Sequence, residues 1–496
     1  MQPDSPVRPN LVYLFADQLR YHACGFAGDP WAQTPNMDLL AKQGIDFTNA
    51  TSCTPVCAAH RASLFTGKYQ SSHGMVINEL RLSPEHRCFG HVLTQSGYDT
   101  AYIGKWHLWA DELGNHRAVR NGFVPPGPYR LGFDGYWAGY NFNHNSYNAF
   151  YFEDTCTPIP HQGYEADIQT GMALDYIQQA VAKNNPFALF LSWGPPHDPW
   201  GADNTPAEYW EMFQETDIQP RPNFSDQPDP YADQWGQLDN RYLSNLQSSM
   251  RGYYAQTANI DWNLGRVMDC LDRLGLAEST ILVFTSDHGE MFGSQGRRAK
   301  NIFYDEACHV PFLLRQSGRT PAGSTTEVCL NTVDIMPTLL SMMDLPVPQT
   351  AEGADLSHWA EGRSGPEPAA AFMQGMGTTA AWVDGSEWRG LKDRQFTYAI
   401  YRRDREELLF DNLADHYQTR NLAEDANWSS TLRHYREMLL AWMQSQNDTF
   451  EACTWHRDQW MHNRNIMRGA KDGTHDLTLL QEIVQTHFHD ADRISL

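Results

Sequence analysis

Four short apolar runs, each broken off by residues able to do chemistry, constrain this chain more than any other feature. Asn10 to Ala16, Tyr98 to Ile103, Phe187 to Trp193 and Ser279 to Ser286 are rich in β-branched and aromatic residues and show no polar face. That is the pattern of strands buried on both sides. Between them the apolar spacing predicts helices over Met37 to Gln43, introduced by Thr34-Pro35-Asn36, over Glu165 to Ala182 and over Asn245 to Leu274. Such alternation predicts an α/β domain over residues 1–368, with a large, mostly parallel central sheet flanked by helices. Pro and Gly punctuate Val124 to Gly135, Pro195 to Asp229 and Asp344 to Glu367, which read as surface excursions. A smaller C-terminal α+β domain is expected over 369–450, with a strand over Gln395 to Tyr401 and a helix over Ser429 to Met443. A tail rich in His and Trp, 451–496, follows without an assigned structure.

Composition narrows the function classes. With 496 residues, 41% of them hydrophobic, the chain can bury a core without disulfides. Its net charge of −23 repels phosphate backbones and anionic lipid, which argues against nucleic acid and membrane-surface partners. No run approaches the ~20 apolar residues that span a bilayer. Met1 to Asn10 lacks the basic start and apolar stretch of a secretory signal, so the expected location is cytoplasmic, or periplasmic or secreted if a leader has been removed. The nine cysteines are odd in number and scattered, so most are expected to be reduced.

In an open parallel sheet, ligands gather beyond the carboxyl ends of the strands. The four runs end in Asp17-Gln18, in Gly104-Lys105-Trp106-His107, in His197 after Gly194-Pro195-Pro196, and in Asp287-His288-Gly289. Two carboxylates, an amide oxygen and imidazoles on one rim suit a divalent cation, and Lys105 beside them suits an anionic ester oxygen. Taken singly, each has an ordinary structural role open to it; together they point to a site. The segment Tyr140 to His144 and the loop Trp200 to Asp229 mix aromatic and polar residues, a combination that suits a sugar. Trp106 and Trp109 read as packing residues.

The stretch Cys53-Thr-Pro-Val-Cys57-Ala-Ala-His-Arg61, followed by Thr66-Gly67, resembles the signature of the sulfatase family. Aligning on Arg61 makes Cys57 the signature cysteine, because Cys53 has Cys57 rather than Arg four residues on. Gly104-Lys105-Trp106-His107, His197, Asp287-His288-Gly289, Lys300 ahead of His309-Val-Pro-Phe-Leu, Glu407 to Asp411 and Asn421-Leu-Ala match further landmarks of that family, in order. The resemblance implies an alkaline-phosphatase-superfamily fold and a sulfuric ester hydrolase, with Cys57 converted by a maturation enzyme to formylglycine, whose hydrate supplies the nucleophilic oxygen. It implies a divalent ion on Asp17, Gln18, Asp287 and His288 together with residue 57. Oxygen donors favour Ca2+, and the imidazole makes Mn2+ the alternative.

The resemblance also assigns roles. Arg61 is expected to hold the hydrated aldehyde oxygen and its loop, Lys105 and Lys300 the sulfate oxygens. His107 is expected to take the proton that restores the aldehyde, and His197 to protonate the departing alcohol. His107 lies two residues from Lys105 on what reads as extended chain, which would put both side chains on one face. Three departures stand out: Gln18 replaces an Asp, His288 replaces an Asn, and Ala59 replaces the signature proline. The first two resemble the phosphonate monoester hydrolase and choline-sulfatase branches. The expected substrate is a small sulfate ester, foremost a carbohydrate sulfate; a phosphonate or phosphate ester is the alternative, and a sulfatase-like binding protein that never matures is a third reading.

Overall fold

The computed structural model describes residues 8–110, 119–183, 185–471, 473 and 475. The first seven residues of the expected leaderless start, and 476–496 of the tail, lie outside the described residues. The large sheet is built from β1 (Asn10–Ala16), β2 (Ile45–Phe47), β3 (Asp99–Lys105), β4 (Tyr136–Tyr140), β5 (Phe187–Ser192), β6 (Thr280–Ser286), β7 (Phe312–Arg315) and β8 (Ser324–Thr326). Their order across the sheet is β8-β2-β7-β6-β1-β5-β3-β4. Only β7 runs antiparallel to its neighbours; all other pairings are parallel. The four expected runs are thus the four central parallel strands, β6-β1-β5-β3, and their carboxyl ends form one rim.

Both faces of this sheet are covered, which explains the absence of a polar face in the runs. Leu11, Tyr13 and Phe15 enter one apolar core with Ala62 and Phe65 of helix α2 (Cys57–Thr66), which follows helix α1 (Pro35–Gln43) in the chain. Val12 and Leu14 enter the other, with Ile177 of the helix Glu165–Lys183 and Leu264 of the helix Asn240–Arg273. Trp106 and Trp109 are fully buried; Trp106 packs among Phe65, Tyr102, Phe133 and Trp137.

A second sheet, antiparallel throughout, follows: β9 (Ala371–Gly375), β10 (Trp388–Lys392), β11 (Phe396–Tyr401) and β12 (Glu407–Asp411). Helix Ser429–Ser445 covers it through Leu432, Tyr435 and Leu439. The excursion 195–229 is not all irregular, since it carries the helix Ala207–Phe213. The described part of the tail returns to the first sheet's side of the molecule. Ile466 and Trp460 join the core that holds Phe65, Ile466 N donates to Arg81 O, and Ala470 N donates to Ser71 O, just past α2. Among the described residues no helix is long and apolar enough to cross a membrane.

Close strand approach sets one glycine requirement beside the site. Gly104, next to Lys105 in β3, has φ 100°, and a Cβ there would stand 2.0 Å from the Ser192 carbonyl oxygen of β5. Gly104→Ala is expected to lose roughly 4 kcal/mol or more, because neither backbone can yield without breaking the ladder. Gly97→Ala, with φ 85° but open space around it, is expected to cost only about 1–2 kcal/mol. Denaturant midpoints of the two variants test the difference.

Candidate active site

Cys57 opens helix α2 at the rim, with Val56 before it extended and making no side-chain cap. The partial positive charge of that helix end faces the thiol. Its Sγ is 3.0 Å from Lys300 Nζ, 3.2 Å from His288 Nε2 and 3.6 Å from Asp17 Oδ1. Burial pushes the thiol up, but Lys105, Lys300, His288 and His107 outweigh it and hold it well below the ordinary thiol range. The site is therefore built to carry negative charge on the side chain of residue 57.

Asp17 and Asp287 end β1 and β6, adjacent parallel strands. Arg61 reaches both, through Nη2 at 3.0 Å and 3.3 Å, while its Nη1 donates to Lys105 O and Ser192 Oγ. Lys105 Nζ is 2.6 Å from Asp17 Oδ2. Burial and the charge on residue 57 push the Asp17 carboxyl up; Lys105, His197 and Arg61 overcome them and hold it well below the usual carboxylate range. Asp287 is raised, by burial and by Asp17.

Asp17, Cys57, Asp287 and His288 each present a donor atom within 4.8 Å of the others. His288 Nδ1 lies 3.0 Å from the Gly289 carbonyl and donates to it, which turns Nε2 to this cluster. Two carboxylate donors, an imidazole nitrogen and the position-57 side chain around one point fit a divalent cation. Gln18 stands beside them at φ 70°, its Nε2 donating to Glu290 Oε2 at 2.6 Å and its Oε1 accepting from Lys300 Nζ at 3.1 Å.

The chain matches the sulfatase family over residues 9–345. It is 33% identical over 475 residues to an ulvan-active sulfatase of Formosa agariphila, covering 94% of this chain and 86% of that one. The chain belongs to the sulfatase family. An endo-4-O-sulfatase of Bacteroides thetaiotaomicron is 28% identical over 486 residues, 87% of this chain and 91% of the other. The structure of a protein assigned as a sulfatase from Bacteroides fragilis superposes with a TM-score of 0.80 at 28% identity, over 91% of this chain and 98% of that one. The chain is accordingly a sulfuric ester hydrolase with the alkaline-phosphatase-like fold, in a family that generally uses a metal ion and a formylglycine.

The sulfatase departs from the sequence expectation in the backbone at His107. His107 is not on extended chain: β3 ends at Lys105, Trp106 N turns to Tyr140 O, and His107 has φ 58°. Strand alternation stops there, so the one-face argument fails. His107 nevertheless lines the cavity, and neither ring nitrogen has a hydrogen-bond partner. Arg61, expected to hold the residue-57 oxygen and its loop, places its guanidinium on both carboxylates, on Lys105 O and on Ser192 Oγ. Lys105, expected on sulfate oxygens, lies 2.6 Å from Asp17 Oδ2 and outside the cavity lining, whose cations are Lys300, Arg241 and Arg298.

The cavity above residue 57 has a volume of about 670 Å³ and includes Gln18, His107, His197 and Lys300 in its walls, with Phe142, Trp200, Trp235 and Tyr242 among its aromatic lining. His197 sits 2.9 Å from Lys300 Nζ through Nε2 and 3.1 Å from Asp198 Oδ1 through Nδ1. Burial and the Lys300 ammonium push this imidazole down, yet Asp198 and Asp17 outweigh them and raise it to about 9. Across the 2.9 Å contact only one nitrogen can donate, so His197 and Lys300 compete for a proton. His144, the last residue of the segment read as suited to a sugar, stacks flat on His197, ring centroids 3.9 Å apart. Glu290, which fixes the orientation of the Gln18 amide, escaped sequence reasoning as a site member; only its proximity in sequence to Asp287 could have flagged it.

Proposed function

We propose that this sulfatase releases inorganic sulfate from a carbohydrate sulfate. The observation that carries the reading is the position-57 side chain at the floor of an aromatic-walled cavity, with Lys300, His288 and Asp17 within 3.6 Å of its sulfur. The aromatic walls suit the apolar faces of a sugar ring, and the two curated relatives carry names that place their activity on ulvan and on a 4-O-sulfate. Matured by a formylglycine-generating enzyme, residue 57 would present an aldehyde hydrate whose oxygen attacks sulfur. A Ca2+ ion, or Mn2+, held by Asp17, Gln18, Asp287, His288 and residue 57, would neutralise charge on that oxygen and on one ester oxygen.

The chain's own residues supply the rest. Arg61 and Lys105 keep Asp17 ionised and the two carboxylates in place. Lys300, facing the cavity, binds a sulfate oxygen and thereby leaves His197 free to give its proton to the departing alcohol oxygen. His107, beside residue 57 and with Nε2 3.9 Å from Glu79 Oε1, takes the proton from the remaining hydroxyl on residue 57 when sulfate leaves. Gln18 and His288 motivate a second reading, a phosphonate or phosphate ester hydrolase, which turnover of matched sulfate and phosphonate esters of one alcohol separates.

The test is a leaving-group comparison. A basic sugar alcohol needs the acid, whereas a nitrophenol departs as its anion, so His197→Ala is expected to slow sugar sulfate hydrolysis about 100-fold or more beyond its effect on nitrophenyl sulfate. His107→Ala is expected to release one equivalent of alcohol from either substrate and then stall. Equal slowing of both substrates by His197→Ala, with discrimination by Lys300→Ala, would make Lys300 the acid.

A further inference from the structure

Away from the active site, a second set of side chains converges as metal donors do. His22 lies in the turn Tyr21–Ala23 after β1, and Asp305 and His309 frame the short helix leading into β7. Each presents a donor atom within 4.8 Å of the other two. His309 is 7% exposed, and neither of its ring nitrogens, nor Nδ1 of His22, has a hydrogen-bond partner although all three are buried. Buried imidazole nitrogens without partners are costly unless something else takes their lone pairs.

The surroundings hold the three in place. Tyr21 N donates to His309 O at 3.0 Å, the Tyr21 ring stacks on His309 at 4.0 Å, and the two imidazoles stand nearly perpendicular, 5.3 Å apart. Lys392 of β10 takes Asp305 Oδ1 at 2.8 Å, so the other oxygen, Oδ2, is left 3.8 Å from His309 Nδ1. That is too long for a hydrogen bond. Two donors that share one tetrahedral ion at about 2.0–2.2 Å each stand roughly 3.3–3.6 Å apart, so a shift of a few tenths of an ångström closes this pair on an ion. Burial, reinforced by Arg221 for His22 and by Lys392 for His309, keeps both imidazoles below their usual range, so they are neutral and able to ligate at neutral pH.

We propose that His22, Asp305 and His309 form a second metal centre, distinct from the sulfatase site, that takes a borderline divalent ion of the Zn2+ class with water completing the coordination. Two imidazoles and one carboxylate select against Ca2+ and Mg2+, which require mostly oxygen. The Lys392 ammonium and the Arg221 and Arg20 guanidinium groups oppose any cation there, so binding rests on the imidazoles. Such an ion would tie the turn after β1 to the approach to β7 and, through Asp305 and Lys392, to the second sheet.

The test uses full-length Cys57→Ala/His288→Ala protein in Ca2+ buffer, which removes the thiolate and imidazole donors of the active site. Zinc per chain is measured after dialysis against Zn2+ and gel filtration, and the visible spectrum is recorded with Co2+. One zinc per chain and a Co2+ ligand-field band are expected. Adding His22→Gln or His309→Ala is expected to weaken Zn2+ binding by more than the roughly tenfold that losing even an outer partner costs. His22 is half-buried on a three-residue turn, so His22→Gln decides the matter should His309→Ala fail to fold. A double variant that retains no zinc, or zinc retained undiminished after His22→Gln, overturns the proposal.

Discussion

Cys57→Ala protein is expected to hydrolyse no sulfate ester above background, a loss on the order of 10⁴-fold or more, while Cys53→Ala keeps most of the wild-type turnover. The two thiols lie four residues apart but in opposite surroundings. Cys57 lines the cavity and is stabilised as an anion by Lys105, Lys300 and His288 against its burial. Cys53 is buried away from the cavity, donates to Ser63 Oγ and packs with Tyr69 and Leu391 of the second sheet; burial pushes its thiol up to about 11. Initial rates at matched enzyme concentration, with thermal midpoints as a folding control, check this. Full turnover by Cys57→Ala would remove residue 57 from the chemistry.

The buried histidines are expected to withdraw stability from the folded protein as pH falls from about 6.5 to about 4. His60, His73, His161 and His456 are all buried. Burial above all holds each imidazole down, His161 to about 4 and His456 to about 3. His73 shows why: Nδ1 accepts from Met75 N, so Nε2 must carry the proton shared with Ser63 Oγ, and a second proton would break the first bond. The unfolded chain binds protons near pH 6.5 and the folded one does not, so stability is present above that pH and is lost as pH falls. His161 and His456, held at about 4 and about 3, each contribute roughly 2 kcal/mol of loss at pH 5, opposed in part by the buried carboxyls of Asp46, Glu165 and Asp334, which burial raises to about 7 and which take up protons in the folded state over the same range. Both ring nitrogens of His161 lack partners, so His161→Phe should retain the fold and raise the thermal midpoint at pH 5 relative to that at pH 7.5. The same pH dependence of the midpoint with and without His161→Phe would contradict the neutral state of His161.

The central strands were legible because they are buried on both faces and so spell apolar runs without interruption; β1 runs Asn10–Ala16, as the sequence predicts. The strand ends followed, and with them Asp17, Lys105 and Asp287. The short strands β2 and β8 were not, at three residues each, too short to show a period. Site geometry failed where it was extrapolated past a strand end, at His107, where one left-handed residue redirects the side chain. The Glu290 contact to Gln18 spans 272 residues, and the His144 stack on His197 joins two separate loops; no local pattern encodes either. Arg61 illustrates a subtler limit. Its place in the signature was readable, but two adjacent carboxylates in a dry site need a shared counter-charge, and only their three-dimensional convergence shows that Arg61 supplies it.

The last described stretch of the chain bears on when residue 57 can be reached. Cys57 is 1% exposed, and the backbone of 464–470 closes over Ser71 and Arg81, just beyond its helix. These residues are synthesised about 400 positions after Cys57, so the wall behind the helix cannot be completed until they have emerged. An enzyme that rewrote the Cys57 side chain would therefore have a window set by translation time, before that wall packs. Slowing the emergence of 464–470 should lengthen that window, whereas offering finished, folded protein should leave the thiol unconverted.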